Sequence, residues 1–237
     1  MKNHIHTVPV LDALKDPGAC PFCKMYKTLD ENALHFIMGP AYMDEDVRDK
    51  TNEAGFCQNH LNKMYEMQNR LGTALLLHTH LKQLLKNITM PNLNESAGLF
   101  KKAESALSRM ASQIEQQQNR CYLCEKIDDT FQKYVDTFFY MWSREAEMPA
   151  LVKALPSFCM PHFGMMIAKS ETALNKKYLE GFLEVVIPLQ QKALSKLDED
   201  LDWFIQKFDY RNADAPWKDS QDAIERSIVL LKGENNA

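Results

Sequence analysis

All six cysteines of this 237-residue chain, together with two of its seven histidines, fall into a repeated pattern. Cys20-Pro-Phe-Cys23 is followed, after 33 intervening residues, by Cys57-Gln-Asn-His60. Cys121-Tyr-Leu-Cys124 is followed, after 34, by Cys159-Met-Pro-His162. The two CxxC pairs are offset by 101 positions and the two CxxH pairs by 102, and Phe precedes the third cysteine in both copies, as Phe56 and Phe158. Internal duplication with one inserted residue is the simplest account.

Thiolate and imidazole are the donors that zinc and iron take, and three Cys with one His is a recognised structural zinc set. A CxxC at a helix start places two sulfurs on one side of the first turn, and a CxxH does the same on a second helix. Helix N-termini carry partial positive charge, which lowers thiol pKa and favours the ligating thiolate. The expectation is therefore two Zn2+ per chain, one per half. The first would be held by Cys20, Cys23, Cys57 and His60, the second by Cys121, Cys124, Cys159 and His162. Chain length permits it: a helix over 21–38 runs out about 27 Å, and the 16 residues from Ala41 to Phe56 can return up to ~53 Å. Reduced core cysteines and disulfides are the competing readings. An iron–sulfur cluster is the alternative cofactor, because both accept thiolates. Catalytic zinc keeps an open position. Here all four positions are filled, which favours a structural, sensing or partner-binding role. An enzyme with one open site requires a labile His60 or His162.

Other chemistries lack their signatures. Thioredoxin-like redox needs a βαβ pattern around CxxC, and covalent haem attachment needs CxxCH, whereas Lys24 and Glu125 follow the motifs here. Paired ExxH motifs for a di-iron bundle are missing; Glu31 and His35 are four apart and unrepeated. No Gly-rich phosphate loop is present. His78 and His80 sit at i and i+2 and do not share a helix face; His78 reads as a hydrogen-bonded core histidine. Asp44, Glu45 and Asp46 read as an acidic, solvated turn. The 13 Met residues read as core filler.

The elements that must position the motifs read as almost entirely helical. Gly (8) and Pro (10) are sparse, which argues against a turn-rich all-β fold. Pro21 suits the first position of a helix, whose apolar spacing (Phe22, Tyr26, Leu29, Ala33, Phe36, Ile37) continues to Gly39-Pro40. A short polar helix follows over 44–53. From Cys57, Leu61, Met64, Met67, Leu71, Leu75, His78, Leu81 and Leu85 trace a single stripe to about Asn87. Asn94-Glu95-Ser96 opens a helix towards the QQQNR stretch. The second half repeats the plan, with a helix over roughly 122–143 and another from Pro161 through Phe208, kinked at Pro188. Residues Phe208 to Trp217 form a loop whose aromatics tie down a last helix over about 220–232. The division is a 1–19 arm, a 20–119 first half, a 120–208 second half and a 209–237 C-terminal loop and helix.

Net charge is −4 with no polybasic run, so the footprint of a nucleic-acid binder is missing. No stretch reaches the ~20 apolar residues of a membrane span, and the first residues lack a signal-peptide core. The expected location is the cytoplasm, where disulfides rarely persist. A protein partner is open, as is the oligomeric state.

The segments CPFC, AYMDEDVRDKTNEAGFCQNH, NRLGTALLLHTHL, CYLC and DLDWFIQKFDYRNADAPW together resemble a bacterial family known only as a domain of unknown function, with CxxC and GFCxxH signatures. The resemblance spans nearly the whole chain. It implies a bacterial cytosolic protein and brings no activity with it. The second copy departs from GFCxxH, with Ser157 in place of glycine. The resulting expectation is an all-α protein of two pseudo-repeated halves with two Cys3His sites.

Overall fold

The computed structural model describes residues 4–16, 18, 20–91 and 105–234. Among them are eleven α-helices and no strand: α1 (His4–Lys15), α2 (Pro21–Met38), α3 (Glu45–Ala54), α4 (Gln58–Glu66), α5 (Arg70–Asn87), α6 (Ala106–Gln118), α7 (Tyr122–Trp142), α8 (Met148–Lys153), α9 (Met160–Ala173), α10 (Lys176–Gln206) and α11 (Ala223–Lys232). The expected all-α class is the observed one. The expected helix start at 94–96 lies outside the described residues.

The chain forms two compact units. One is Met1–Thr28 with Thr130–Ala237; the other is Leu29–Asp129. These are not the 20–119 and 120–208 halves of the repeat. The chain leaves the first unit within α2 and re-enters it within α7.

In the discontinuous unit, Phe22, expected from the helical spacing, is joined in the core by four phenylalanines of the second half. Phe22, Phe138, Phe139, Phe158 and Phe182 are all buried, and their rings meet edge-on or tilted at 5.3–6.3 Å, the arrangement that ring quadrupoles favour. The arm before the first CxxC is helical: Val10, Ala13 and Leu14 are buried at i, i+3, i+4 spacing, and α1 packs on α8. Helix α10 runs through Pro188 without interruption.

Helix α11 is held to α10 by Leu197, Ala223 and Leu230 and by a buried charge. Asp200 accepts from Lys196 Nζ at 2.8 Å and Arg226 Nη1 at 3.0 Å. Burial alone would raise the Asp200 carboxyl, but these two cations outweigh it and hold it below the usual carboxylate range. A depressed native pKa contributes stability above the unfolded value near 3.8, and that contribution is lost as pH falls below it. Asp200→Asn is expected to cost about 1–2 kcal/mol at neutral pH, since both partners are part-exposed and screened. The deficit relative to wild type should be smaller at pH 3 than at pH 7, as read by urea unfolding, because it is lost as pH falls through the depressed native pKa.

The Phe208–Trp217 loop is tied down by more than its aromatics. Trp217 does pack on Phe204, with ring centroids 5.6 Å apart. The larger anchor is Lys207, a buried ammonium donating to the carbonyls of Asn212, Ala213 and Ala215 at 2.6–2.8 Å.

In the Leu29–Asp129 unit, α3 packs on α5, and α5 on α4. The acidic turn at 44–46 is a helix cap: Asp44 Oδ1 accepts from the N–H groups of Asp46 and Val47, satisfying orphan donors of α3. The single stripe from 57 to 87 is not observed. Gln68 adopts φ 61°, a left-handed turn between α4 and α5, and Asn69 caps the new helix through the Gly72 N–H. The restart shifts the helical phase. Gly72, Thr73 and Leu76 become the buried face, while Leu71, Leu81 and Leu85 are exposed. His78 is exposed, not core. His80 is the packed histidine, its Nδ1–H donating to Asn52 O at the end of α3, 2.9 Å away.

Candidate metal centres

The eight residues expected from the repeat come together in two groups of four, with all donor atoms in each group within 4.8 Å of one another. The pairing differs from the expected one. Cys20 and Cys23 meet Cys159 and His162, while Cys57 and His60 meet Cys121 and Cys124. Each group thus takes its CxxC from one copy and its CxxH from the other. The physical reason is the path of the chain. Because α2 passes from one unit into the other, its 18 residues carry the polypeptide away from Cys20, and α3 uses part of the following segment as compact helix instead of a long return.

Each group is built from two helix N-termini. Cys57 and Cys159 are the N-cap residues of α4 and α9. Cys20 and Cys121 immediately precede α2 and α7, their carbonyls accepting from Lys24 N and Glu125 N. At the Cys20 site, Cys23 Sγ is 3.5 Å from Cys159 Sγ, and His162 Nδ1 lies 3.6, 3.4 and 3.1 Å from Cys20, Cys23 and Cys159. At the Cys57 site, Cys57 Sγ is 3.8 Å from Cys124 Sγ, and His60 Nδ1 lies 3.2, 3.3 and 3.4 Å from Cys57, Cys121 and Cys124. A tetrahedral ion with metal–sulfur bonds of about 2.3 Å and metal–nitrogen bonds near ~2.05 Å spans S···S edges of about 3.8 Å and S···N edges of about 3.6 Å. The donor set and its spacing fit one such ion at each site.

The proton balance fits as well. Without a cation, sulfurs this close cannot all be anionic. At the Cys20 site, hydrogen bonds from Cys159 and Cys23 push Cys20 far below the usual thiol range, and the same contacts push Cys23 up. At the Cys57 site, burial would raise Cys121, but hydrogen bonds from His60 and from the backbone N–H groups of Cys124 and Cys57 bring it down to about 6. Burial and the charge on Cys121 push Cys124 up. Burial opposes protonation of both imidazoles, yet the adjoining sulfurs, joined at His60 by the Asp30 carboxylate, raise His60 and His162 to about 9. A bound dication removes this competition by neutralising the thiolates together.

The whole chain, residues 1–237, matches the family model described as a family of unknown function, DUF6062. The chain belongs to this DUF6062 family. No curated protein and no solved structure matches it. Membership therefore carries no activity with it, and the function of this DUF6062 chain must be argued from its own two sites. Among the described residues no helix is long and apolar enough to cross a membrane.

Four residues of the sites lie outside the motifs. Gly233, at the end of α11, passes over the Cys20 site with φ 84°, where a Cβ would lie 3.3 Å from Cys23 Sγ and 3.4 Å from Cys159 Sγ. The next residue, Glu234, hydrogen-bonds Cys23 through its backbone N–H. Nothing local in Lys232-Gly233-Glu234 signals this beyond a glycine after a helix. Asp30 and Lys63 flank His60; Asp30 was legible in principle, as a charge on the apolar stripe of α2, four residues from Tyr26. Gly233→Ala is expected to cost about 1–3 kcal/mol, because a positive φ with ψ 172° is essentially a glycine-only conformation, and to speed chelator removal of one metal equivalent of two, followed by competition with a chromophoric chelator.

Proposed function

We propose that this protein binds two metal ions, most simply Zn2+, at Cys20/Cys23/Cys159/His162 and Cys57/His60/Cys121/Cys124, and that the ions organise the two helical units. The observation that carries the reading is that both groups present four converging donors at the edge lengths of a single tetrahedral ion. All four positions are supplied by the protein, which supports a structural, sensing or partner-binding role over hydrolysis. The same short edges weigh against an iron–sulfur cluster, whose several irons and bridging sulfides need more room between the ligating sulfurs. Thiolates that must stay reduced suit a reducing compartment such as the cytoplasm.

The test is elemental analysis of protein purified without oxygen, with its absorption spectrum. About two zinc per chain without colour is the expected result. Brown protein containing iron and sulfide would replace this reading with an electron-transfer one. A chain purified and reconstituted with zinc that retains no metal would remove both.

A further inference from the structure

The two sites are built from duplicated motifs, but the surroundings of their histidines differ. His60 Nε2 lies 2.8 Å from Asp30 Oδ1, and Lys63 Nζ lies 2.8 Å from Asp30 Oδ2. Both His60 and Asp30 are buried. A carboxylate only accepts, so Nε2 carries the hydrogen, and a metal ion that displaces the proton from Nδ1 would meet that nitrogen aimed at it beside Cys57, Cys121 and Cys124. The ring is therefore set in tautomer and direction from behind, while Lys63 balances the buried carboxylate.

The repeat offsets place Phe131 where Asp30 stands in the first copy and Met165 where Lys63 stands. The correspondence is spatial too: the His162 ring lies against Phe131 and Phe22, with centroids 5.6 and 5.8 Å away. Among the described residues none hydrogen-bonds His162 Nε2. One copy thus orients its histidine with a carboxylate–ammonium pair and the other with aromatic packing. Packing restrains a ring's position, but it does not choose which nitrogen is protonated.

We propose that Asp30, balanced by Lys63, is the positioning residue of the Cys57 site, fixing His60 as an Nδ1 ligand, and that this makes the two metal sites inequivalent. The proposal rests on the metal-binding reading above. Carboxylate or carbonyl partners behind a ligating histidine raise its basicity and hold its ring, and their loss typically lowers metal affinity about 10–100-fold.

The experiment is competition for zinc between the full chain and a chromophoric chelator, for wild type, Asp30→Leu and Asp30→Asn, alongside nitrogen NMR of the imidazoles in the zinc-loaded protein. Asp30→Leu is expected to weaken one of the two zinc equivalents about 10–100-fold and leave the other unchanged. Asp30→Asn keeps the shape and one acceptor oxygen, so it should weaken the same equivalent less. In wild type, both rings should show zinc on Nδ1, but only one a slowly exchanging Nε2–H, which disappears in Asp30→Leu, a signature that loss of packing would not produce selectively. If Asp30→Leu does not fold, Asp30→Asn and the wild-type spectrum decide. Unchanged affinity at both equivalents, an equal drop at both, or a rapidly exchanging His60 Nε2–H in wild type would overturn the role of Asp30. Wild-type protein that takes up no zinc would overturn the metal reading itself, which is a different result.

Discussion

A chain carrying Cys20→Ser together with Cys57→Ser is expected to lose both metal ions, whereas Cys20→Ser with Cys159→Ser should lose only one. The first pair takes a ligand from each of the two groups; the second takes two ligands from the same group. Pairing within each repeat copy would give the opposite counts, so elemental analysis of the two double variants separates the arrangements outright. The energetic effect should be large. Structural zinc contributes on the order of 10 kcal/mol in small peptides, comparable with the whole stability of a typical domain at about 5–15 kcal/mol. Cys57→Ser/Cys121→Ser should accordingly unfold the Leu29–Asp129 unit while the other unit retains its ion and its near-ultraviolet circular dichroism. Two ions retained in the Cys20/Cys57 variant would disprove the ligand assignment.

Phe22→Ala carries the second-largest expected effect. Phe22 is fully buried and touches Phe138 at 5.5 Å, Phe158 at 6.1 Å, Phe131 at 6.2 Å and His162 at 5.8 Å. Truncating a buried phenylalanine costs about 3–5 kcal/mol, combining lost transfer energy with a cavity that neighbours only partly fill. Here the cavity would open beside the ring that ligates through Nδ1, so the loss should extend to metal retention at the Cys20 site. The Cys57 site, whose four ligands belong to the Leu29–Asp129 unit, should keep its affinity. Urea unfolding and chelator competition measure the two effects; a midpoint and retention equal to wild type would show that the ring cluster is not the core. Phe22→Leu keeps most of the volume and should cost less.

The ligands themselves were legible because the information is local. CxxC and CxxH mark helix starts, and residues i and i+3 share a side of the first turn; both holds are seen at Cys20, Cys57, Cys121 and Cys159. Which CxxC meets which CxxH was not legible, because it depends on where the chain crosses between units inside α2, and nothing in Thr28-Leu29 marks a crossing. The register of α5 was hidden in the same way. Leu71, Leu81 and Leu85 continue the periodicity of α4, but one left-handed residue, Gln68, resets the phase and turns them outwards. His80 rather than His78 then faces α3, where the left-handed Gly55 leaves room: a Cβ there would lie 3.0 Å from the His80 ring. Gly233 over the Cys20 site is a tertiary approach from far along the chain, beyond any window of local pattern.

The exchanged pairing also orders events during synthesis. Cys57 must wait 67 residues for Cys124, but Cys23 must wait 136 for Cys159. At ~5–20 residues per second this is about 7–27 s of translation, during which the first CxxC is a nascent dithiol without its partners. The inner group has all its ligands before the outer one, so the emerging chain completes its candidate sites from the middle outwards. A ribosome stalled after the first repeat copy would display four ligand side chains and no complete site.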